Sequence, residues 1–349
     1  MAQSWLRLCL ELGQTCGVLN FIKRMINPNA KLIADLSAPE MVPTRDGYGK
    51  GVVEAGEKDE KVVVLCADLT ESTRSHWFAE KFPERFIEVG VAEQSLALLA
   101  SGMANYGKIP FISSYATFSP GRNNEQIRTN ISLNNVPVKI VGAHAGISVG
   151  PDGATHQALE DIALMRVQPP MVVVVPCDAV EAQKATVAIA FNGKPSYLRV
   201  GREKSPVFTT KDTPFEIGKA EILRDGKDAV IIACGMLLYN ALLAAEELSK
   251  EGIECMVINS HTVKPLDEKT IIDAAKKTGA VVSVEEHQVN GGLGSAIAEV
   301  LSRNHPTPQE FIGVQNRFGE SGEAEELIEA FGMGVFHIKE AVKKVIARK

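Results

Sequence analysis

Glu93 closes the run Phe86-Ile-Glu-Val-Gly-Val-Ala-Glu93, just past a strand-like segment and inside the opening turn of a helical one. Two readings of it stand. An acidic side chain in a first turn complements the helix dipole. A carboxyl in a semi-apolar pocket can instead share a proton with a heterocyclic nitrogen. Further on, His144-Ala-Gly-Ile-Ser-Val-Gly-Pro-Asp152-Gly-Ala-Thr-His156-Gln places two histidines and an aspartate on one glycine-punctuated loop. Neutral imidazole and ionised carboxylate suit hydroxyl binding and proton transfer near neutral pH, and a loop of this kind is more often functional than structural. Neither H-E-x-x-H nor a facial-triad signature is present, so no metal-ligating residues are assigned to this chain.

Tyr115-Ala-Thr-Phe118-Ser-Pro-Gly-Arg122 supplies aromatics that read either as a stacking wall or as ordinary core. Arg45 in Pro-Thr-Arg45-Asp-Gly, Ser72 in Asp68-Leu-Thr-Glu-Ser72 and Arg202 in Arg199-Val-Gly-Arg202 are scattered along the chain. Such arginines are either solvated surface cations or, if they converge, fork-shaped donors for a phosphate.

The elements that must position these groups are alternating apolar runs and helical segments, which predict an α/β fold of two consecutive domains with mainly parallel sheets. Strands are expected at Val62–Cys66, Phe86–Val89, Ile109–Ser113, Val138–Gly142, Met171–Val175 and Ser196–Val200. Helices fit between them over Glu93–Tyr106 and Asp178–Ala190. Each cluster follows a strand run, at the edge where open α/β sheets hold ligands. The domain reading is a leader of unknown role at 1–24, a first domain at 25–204, a polar, proline-bearing linker at 205–214 and a second domain at 215–349. In the second, four strands (Ala229–Cys234, Cys255–Ile258, Val281–Val284, Phe311–Val314) alternate with helices.

With 349 residues, 45% hydrophobic and 23% charged, the chain can bury two cores. Its net charge of −6 excludes a nucleic-acid binder that depends on an overall basic field, so an anionic substrate must meet local cations. Six dispersed cysteines form no C-x-x-C pair, which points to reduced thiols and a cytoplasmic protein. No apolar run of about 18 residues exists to span a membrane. Residues 1–24 lack the parts of a signal peptide and read as a helical leader or as sequence upstream of a start near Met25.

Taken together, Gly90-Val-Ala-Glu93-Gln and the ordered His144, Asp152 and His156 loop resemble the transketolase family over its C-terminal section, a pyrimidine-binding domain followed by a C-terminal domain. Ala233-Cys-Gly-Met, Ile258-Asn-Ser, Val284-Glu-Glu-His287 and Gly291-Gly-Leu-Gly294 extend the resemblance without adding catalytic groups. The resemblance implies thiamin diphosphate as cofactor and transfer of a two-carbon ketol unit between sugar phosphates. It makes Glu93 the partner of the aminopyrimidine N1′ and Phe118, assisted by Tyr115, the stacking aromatic, with Asp68 also on the cofactor side. His144, Asp152 and His156 match groups that bind donor hydroxyls and move protons, and Arg45, Ser72 and Arg202 match groups around the sugar phosphate.

Full-length members of that family also carry a Gly-Asp-Gly motif that holds a divalent metal and the diphosphate, and this chain contains none. The resemblance therefore implies one subunit of a split enzyme. A separate N-terminal pyrophosphate-binding subunit would hold the metal, magnesium or calcium, and the two chains would assemble as two copies of each. Two related architectures stand beside it: the β-subunit of 2-oxo-acid dehydrogenase components and deoxyxylulose-phosphate synthase. A non-catalytic binding subunit on the same fold is the reading from another class.

Overall fold

A computed structural model describes residues 26–349; the leader expected at 1–24, with Cys9 and Cys16, lies outside the described residues. Runs such as Val62–Cys66 and Ala229–Ala233 are buried at every position, the pattern of strands covered on both faces. In chain order the first unit is β1 (Glu40–Pro43), α1 (Thr44–Lys58), β2 (Val62–Cys66), α2 (His76–Lys81), β3 (Phe86–Glu88), α3 (Glu93–Asn105), β4 (Ile109–Tyr115), α4 (Asn124–Gln126), β5 (Lys139–Ala143), α5 (Asp161–Arg166), β6 (Val172–Val174), α6 (Ala179–Ala190), β7 (Ser196–Arg199) and β8 (Lys204–Val207). The second is β9 (Glu221–Arg224), β10 (Ala229–Ala233), α7 (Leu238–Lys250), β11 (Cys255–Asn259), β12 (Thr262–Lys264), α8 (Glu268–Thr278), β13 (Val281–Gln288), α9 (Leu293–Asn304), β14 (Gln309–Val314), α10 (Ala324–Ala330) and α11 (Val335–Ile346).

The large sheet has the order β12-β6-β7-β5-β4-β2-β3 and the smaller one β14-β13-β10-β11-β9. All six strands expected in the first unit are present and run parallel to one another. Asp178 caps α6 through the Glu181 N–H, as its position before the helix predicts.

Two features depart from the sequence reading. The second sheet has five strands where four were expected, because the short Glu221–Arg224 segment adds an antiparallel edge to β11. The segment β12 leaves the second unit and pairs antiparallel with β6, so the first sheet is completed by residues far downstream. The sequence reading placed no element over α1, a helix containing four glycines, residues of poor helix propensity. Its reason is close packing: a Cβ at Gly47 would lie 2.0 Å from the Ala179 carbonyl oxygen of α6. The stretch expected as a linker begins in β8, which pairs with β1, and continues with buried Phe208 and Thr209, whose N–H groups both donate to Asp178.

One hydrophobic cluster joins the two units, with Leu65, Ile112 and Ile140 in contact with the set that includes Ile232, Ile258 and Leu293. Beside it lies a buried ion pair, Arg199 Nε to Asp161 Oδ2 at 2.7 Å. Arg199 Nη2 also donates to the Glu286 backbone carbonyl at 2.8 Å, so the pair bridges both units. Among the described residues no helix is long and apolar enough to cross a membrane. Cys66, Cys177, Cys234 and Cys255 are buried free thiols.

Candidate active site

The carboxyl ends of β2, β3, β4, β5 and β7 lie along one edge of the large sheet, which brings Asp68, Glu93, Tyr115, His144 and Arg202 to neighbouring loops. Glu93 is the first residue of α3 and only 2% exposed. Its Oε2 accepts from Arg122 Nη1 at 2.6 Å, and its backbone carbonyl accepts from Asn123 Nδ2 at 3.0 Å. The Arg122 guanidinium also lies over the Phe118 ring, 4.6 Å from its centroid.

Phe118 belongs to an aromatic group. Tyr115 stacks on it at 5.8 Å and on His144 at 4.0 Å, and the His156 ring stands edge-on to Phe118 at 5.5 Å. The wall anticipated from sequence thus includes both histidines. His156 Nδ1 lies 2.9 Å from the Thr155 hydroxyl.

His144 follows β5 in a left-handed conformation, φ 53°, and its Nε2 lies 3.2 Å from Arg45 Nη1. A guanidinium can only donate, so Nε2 accepts and the neutral ring carries its proton on Nδ1. Burial lowers the His144 pKa to about 3, helped by the charges of Arg45, Arg202 and Arg74. The imidazole is therefore neutral throughout the physiological range. Arg45 reaches the Ser72 backbone carbonyl at 3.0 Å, and burial followed by the repulsion of Arg74 pulls its own pKa down. Arg202 pairs with Asp152 at 3.1 Å and donates to the Val149 carbonyl.

The second unit secures the histidine loop. Glu286 Oε1 accepts the Ser148 N–H at 2.6 Å, and Gln157 Nε2 donates to the carbonyls of Ile147, Gly150 and Glu320. Gly146 has φ 93°, and a Cβ there would sit 2.4 Å from the Glu286 carboxylate, so only glycine lets the loop approach its anchor. Glu285, next along β13, caps α9 by accepting from the Leu293 and Gly294 N–H groups.

A chain of direct contacts therefore runs from Glu93 through Arg122, Phe118, Tyr115, His144 and Arg45 to Ser72, with His156 against the aromatics. Asp152 and Arg202 form a second pair, and the Arg202 charge is felt at His144. Asp68 stands apart from both: it is exposed, and its N–H donates to Glu88 Oε1. Four residues in contact with these groups had no role assigned from sequence. Arg122 and Asn123 lie in the aromatic segment, but nothing in their spacing points at Glu93. Arg74, held by Asp46 at 2.7 Å, adds a third cation beside Arg45. Glu286 was visible only as part of Val284-Glu-Glu-His287, a run with no sign of which loop it grips.

A buried carboxylate, an aromatic wall and a neutral histidine with a buried, unpartnered Nδ1 suit a planar heteroaromatic ligand flanked by a hydroxylated anion. Among the described residues no group of three or more His, Cys, Asp or Glu side chains could hold a metal ion.

Residues 40–207 match the family described as transketolase, pyrimidine binding domain, and residues 218–338 match transketolase, C-terminal domain. A protein of Methanocaldococcus jannaschii described as "Putative transketolase C-terminal section" is 44% identical, over 83% of this chain and 92% of its own. The 6-deoxy-6-sulfo-D-fructose transketolase subunit of Clostridium sp. (strain MSTE9) is 40% identical, over 87% of this chain and 95% of its own. A solved structure described as split gene transketolase, inactive beta4 tetramer, has 44% identity and a TM-score of 0.83 over 88% of this chain and 99% of that one. With both domains matched in this order and near-full coverage of these relatives, the chain belongs to the transketolase family as the C-terminal section of a split transketolase.

Proposed function

We propose that this chain is the C-terminal subunit of a two-chain, thiamin-diphosphate-dependent transketolase that moves a two-carbon ketol unit from a ketose phosphate to an aldose phosphate. The observation that carries the reading is the convergence of buried Glu93, the aromatic wall and the neutral His144 on one sheet edge. When bound, thiamin diphosphate supplies the electron sink for carbon–carbon bond cleavage and formation.

The chain's own groups divide the remaining work. Glu93 exchanges a proton with the pyrimidine N1′, in a site where burial excludes water from the carboxyl. Phe118 and Tyr115 orient the ring, and Asp68 serves the cofactor side from its exposed loop. His144 binds a donor hydroxyl, and His156 moves a proton to or from the reacting carbinol. Arg45 and Arg202 hold the sugar phosphate, with Ser72 and Asp152 fixing their positions.

An N-terminal subunit supplies the divalent metal, magnesium or calcium, and the diphosphate cradle, with two copies of each chain in the assembly. The inactivity stated for the related beta4 tetramer supports the need for a second chain type. The outer face of α3 supports self-association: Leu98 and Leu99 are exposed, and the helix's one charged residue, Glu93, is buried. Four buried free thiols support a reducing, cytoplasmic setting.

The test is reconstitution with a Gly-Asp-Gly-bearing chain. Transfer from xylulose 5-phosphate to ribose 5-phosphate is expected only with both chains, thiamin diphosphate and the divalent metal. Turnover by this chain alone would overturn the two-chain assignment.

A further inference from the structure

Arg122 stands where the proposed cofactor ring must make its contacts. Its guanidinium is planar, cationic and rich in N–H donors, as is a protonated aminopyrimidine. One edge bonds Glu93 Oε2 at 2.6 Å and the group lies 4.6 Å over Phe118. Those are the carboxylate and the ring that the proposed function assigns to the pyrimidine. The two ends of the pair differ in solvation: the Glu93 side chain is 1% exposed and that of Arg122 is 46% exposed. A buried carboxylate needs a partner, whereas a half-exposed arginine can swing into water at small cost.

We infer that Arg122 is a place-holder for the pyrimidine: in the free chain it neutralises Glu93 and covers Phe118, and it must leave for the cofactor ring to enter. This inference rests on the pyrimidine-pocket reading of Glu93 and Phe118. Its consequence is a tax on affinity, because only molecules with Arg122 turned away are competent to bind. Asn123 and Ser119, both buried, fix the segment from which Arg122 projects, so the exchange moves the Arg122 side chain and leaves its backbone in place.

The experiment uses the full chain and 4-amino-5-hydroxymethyl-2-methylpyrimidine as probe, with affinity read by calorimetry for wild type, Arg122→Ala, Arg122→Lys and Glu93→Gln. Arg122→Ala is expected to tighten binding about fivefold, the ceiling for releasing a half-exposed ion pair, and Arg122→Lys to fall between it and wild type. Inorganic pyrophosphate, which lacks the ring, should show no such gain. Equal or weaker pyrimidine binding by Arg122→Ala overturns the place-holder role. Glu93→Gln separates the two ideas: if it weakens binding while Arg122→Ala fails to tighten it, the pocket reading survives and the inference falls. If Glu93→Gln changes nothing, or no variant binds the probe, both fall together.

Discussion

Glu93 is the side chain on which the proposed chemistry is most exposed to a single change. In the reconstituted two-chain enzyme, Glu93→Ala is expected to lower turnover by about 100-fold or more, the ordinary range for a lost proton-transfer group. Unchanged activity would remove the catalytic assignment. His156→Ala should impair donor turnover while size-exclusion profiles of the assembly stay as in wild type; loss of assembly would make the residue structural. His144 makes a separate prediction about stability. Its pKa falls to about 3 in the fold against an ordinary 6.5, so between those values the unfolded chain binds a proton that the native one does not. The contribution is therefore complete above pH 6.5 and is lost progressively as pH falls toward 3. Chemical denaturation of His144→Asn across that window should show a shallower acid loss than wild type.

At the level of elements, helix α1 shows how packing overrides propensity. Four glycines argue against a helix, yet they let α1 lie directly on α6 and on the aromatics Trp77, Phe78 and Phe82. Gly47→Ala should gain helix propensity and still lose stability, by about 1–3 kcal/mol in thermal or denaturant unfolding, because the new methyl meets the Ala179 carbonyl. The same change moves Arg45, two residues away at the helix start, so the Michaelis constant for a phosphorylated donor should rise in parallel. The histidine loop depends on an element of the other unit in the same manner. Glu286 at the end of β13 holds Ser148, and so sets where His144, Asp152 and His156 stand relative to one another.

The joint between the two units combines a shared apolar cluster with a buried ion pair. Arg199 is pinned by Asp161, the Ala158 carbonyl and the Glu286 carbonyl, with every partner buried or backbone. Arg199→Met leaves the buried Asp161 without its counter-ion and with only the Tyr197 hydroxyl donating to it, and a loss of roughly 3–5 kcal/mol in unfolding free energy is expected. A change below about 1 kcal/mol, measured by denaturant titration, would mean that Asp161 takes up a proton or finds water instead.

Much of this molecule is legible in its residues. The apolar runs determine the strands because a segment buried on both faces has no polar alternation to lose, and the glycine-punctuated loops after those strands mark the ligand edge. Residue type and spacing singled out Glu93, Tyr115, Phe118, His144, Asp152 and His156 as candidates, and the family resemblance gave them their proposed roles. Pairings between segments distant in sequence were not legible. That β12 completes the first sheet, that four glycines form a helix, and that Arg122 rather than solvent faces Glu93 depend on distances between segments that no local pattern encodes. The sequence alone determined which chemical groups this protein brings. Only the tertiary structure decided which of them meet, since burial and contact depend on how the segments pack together.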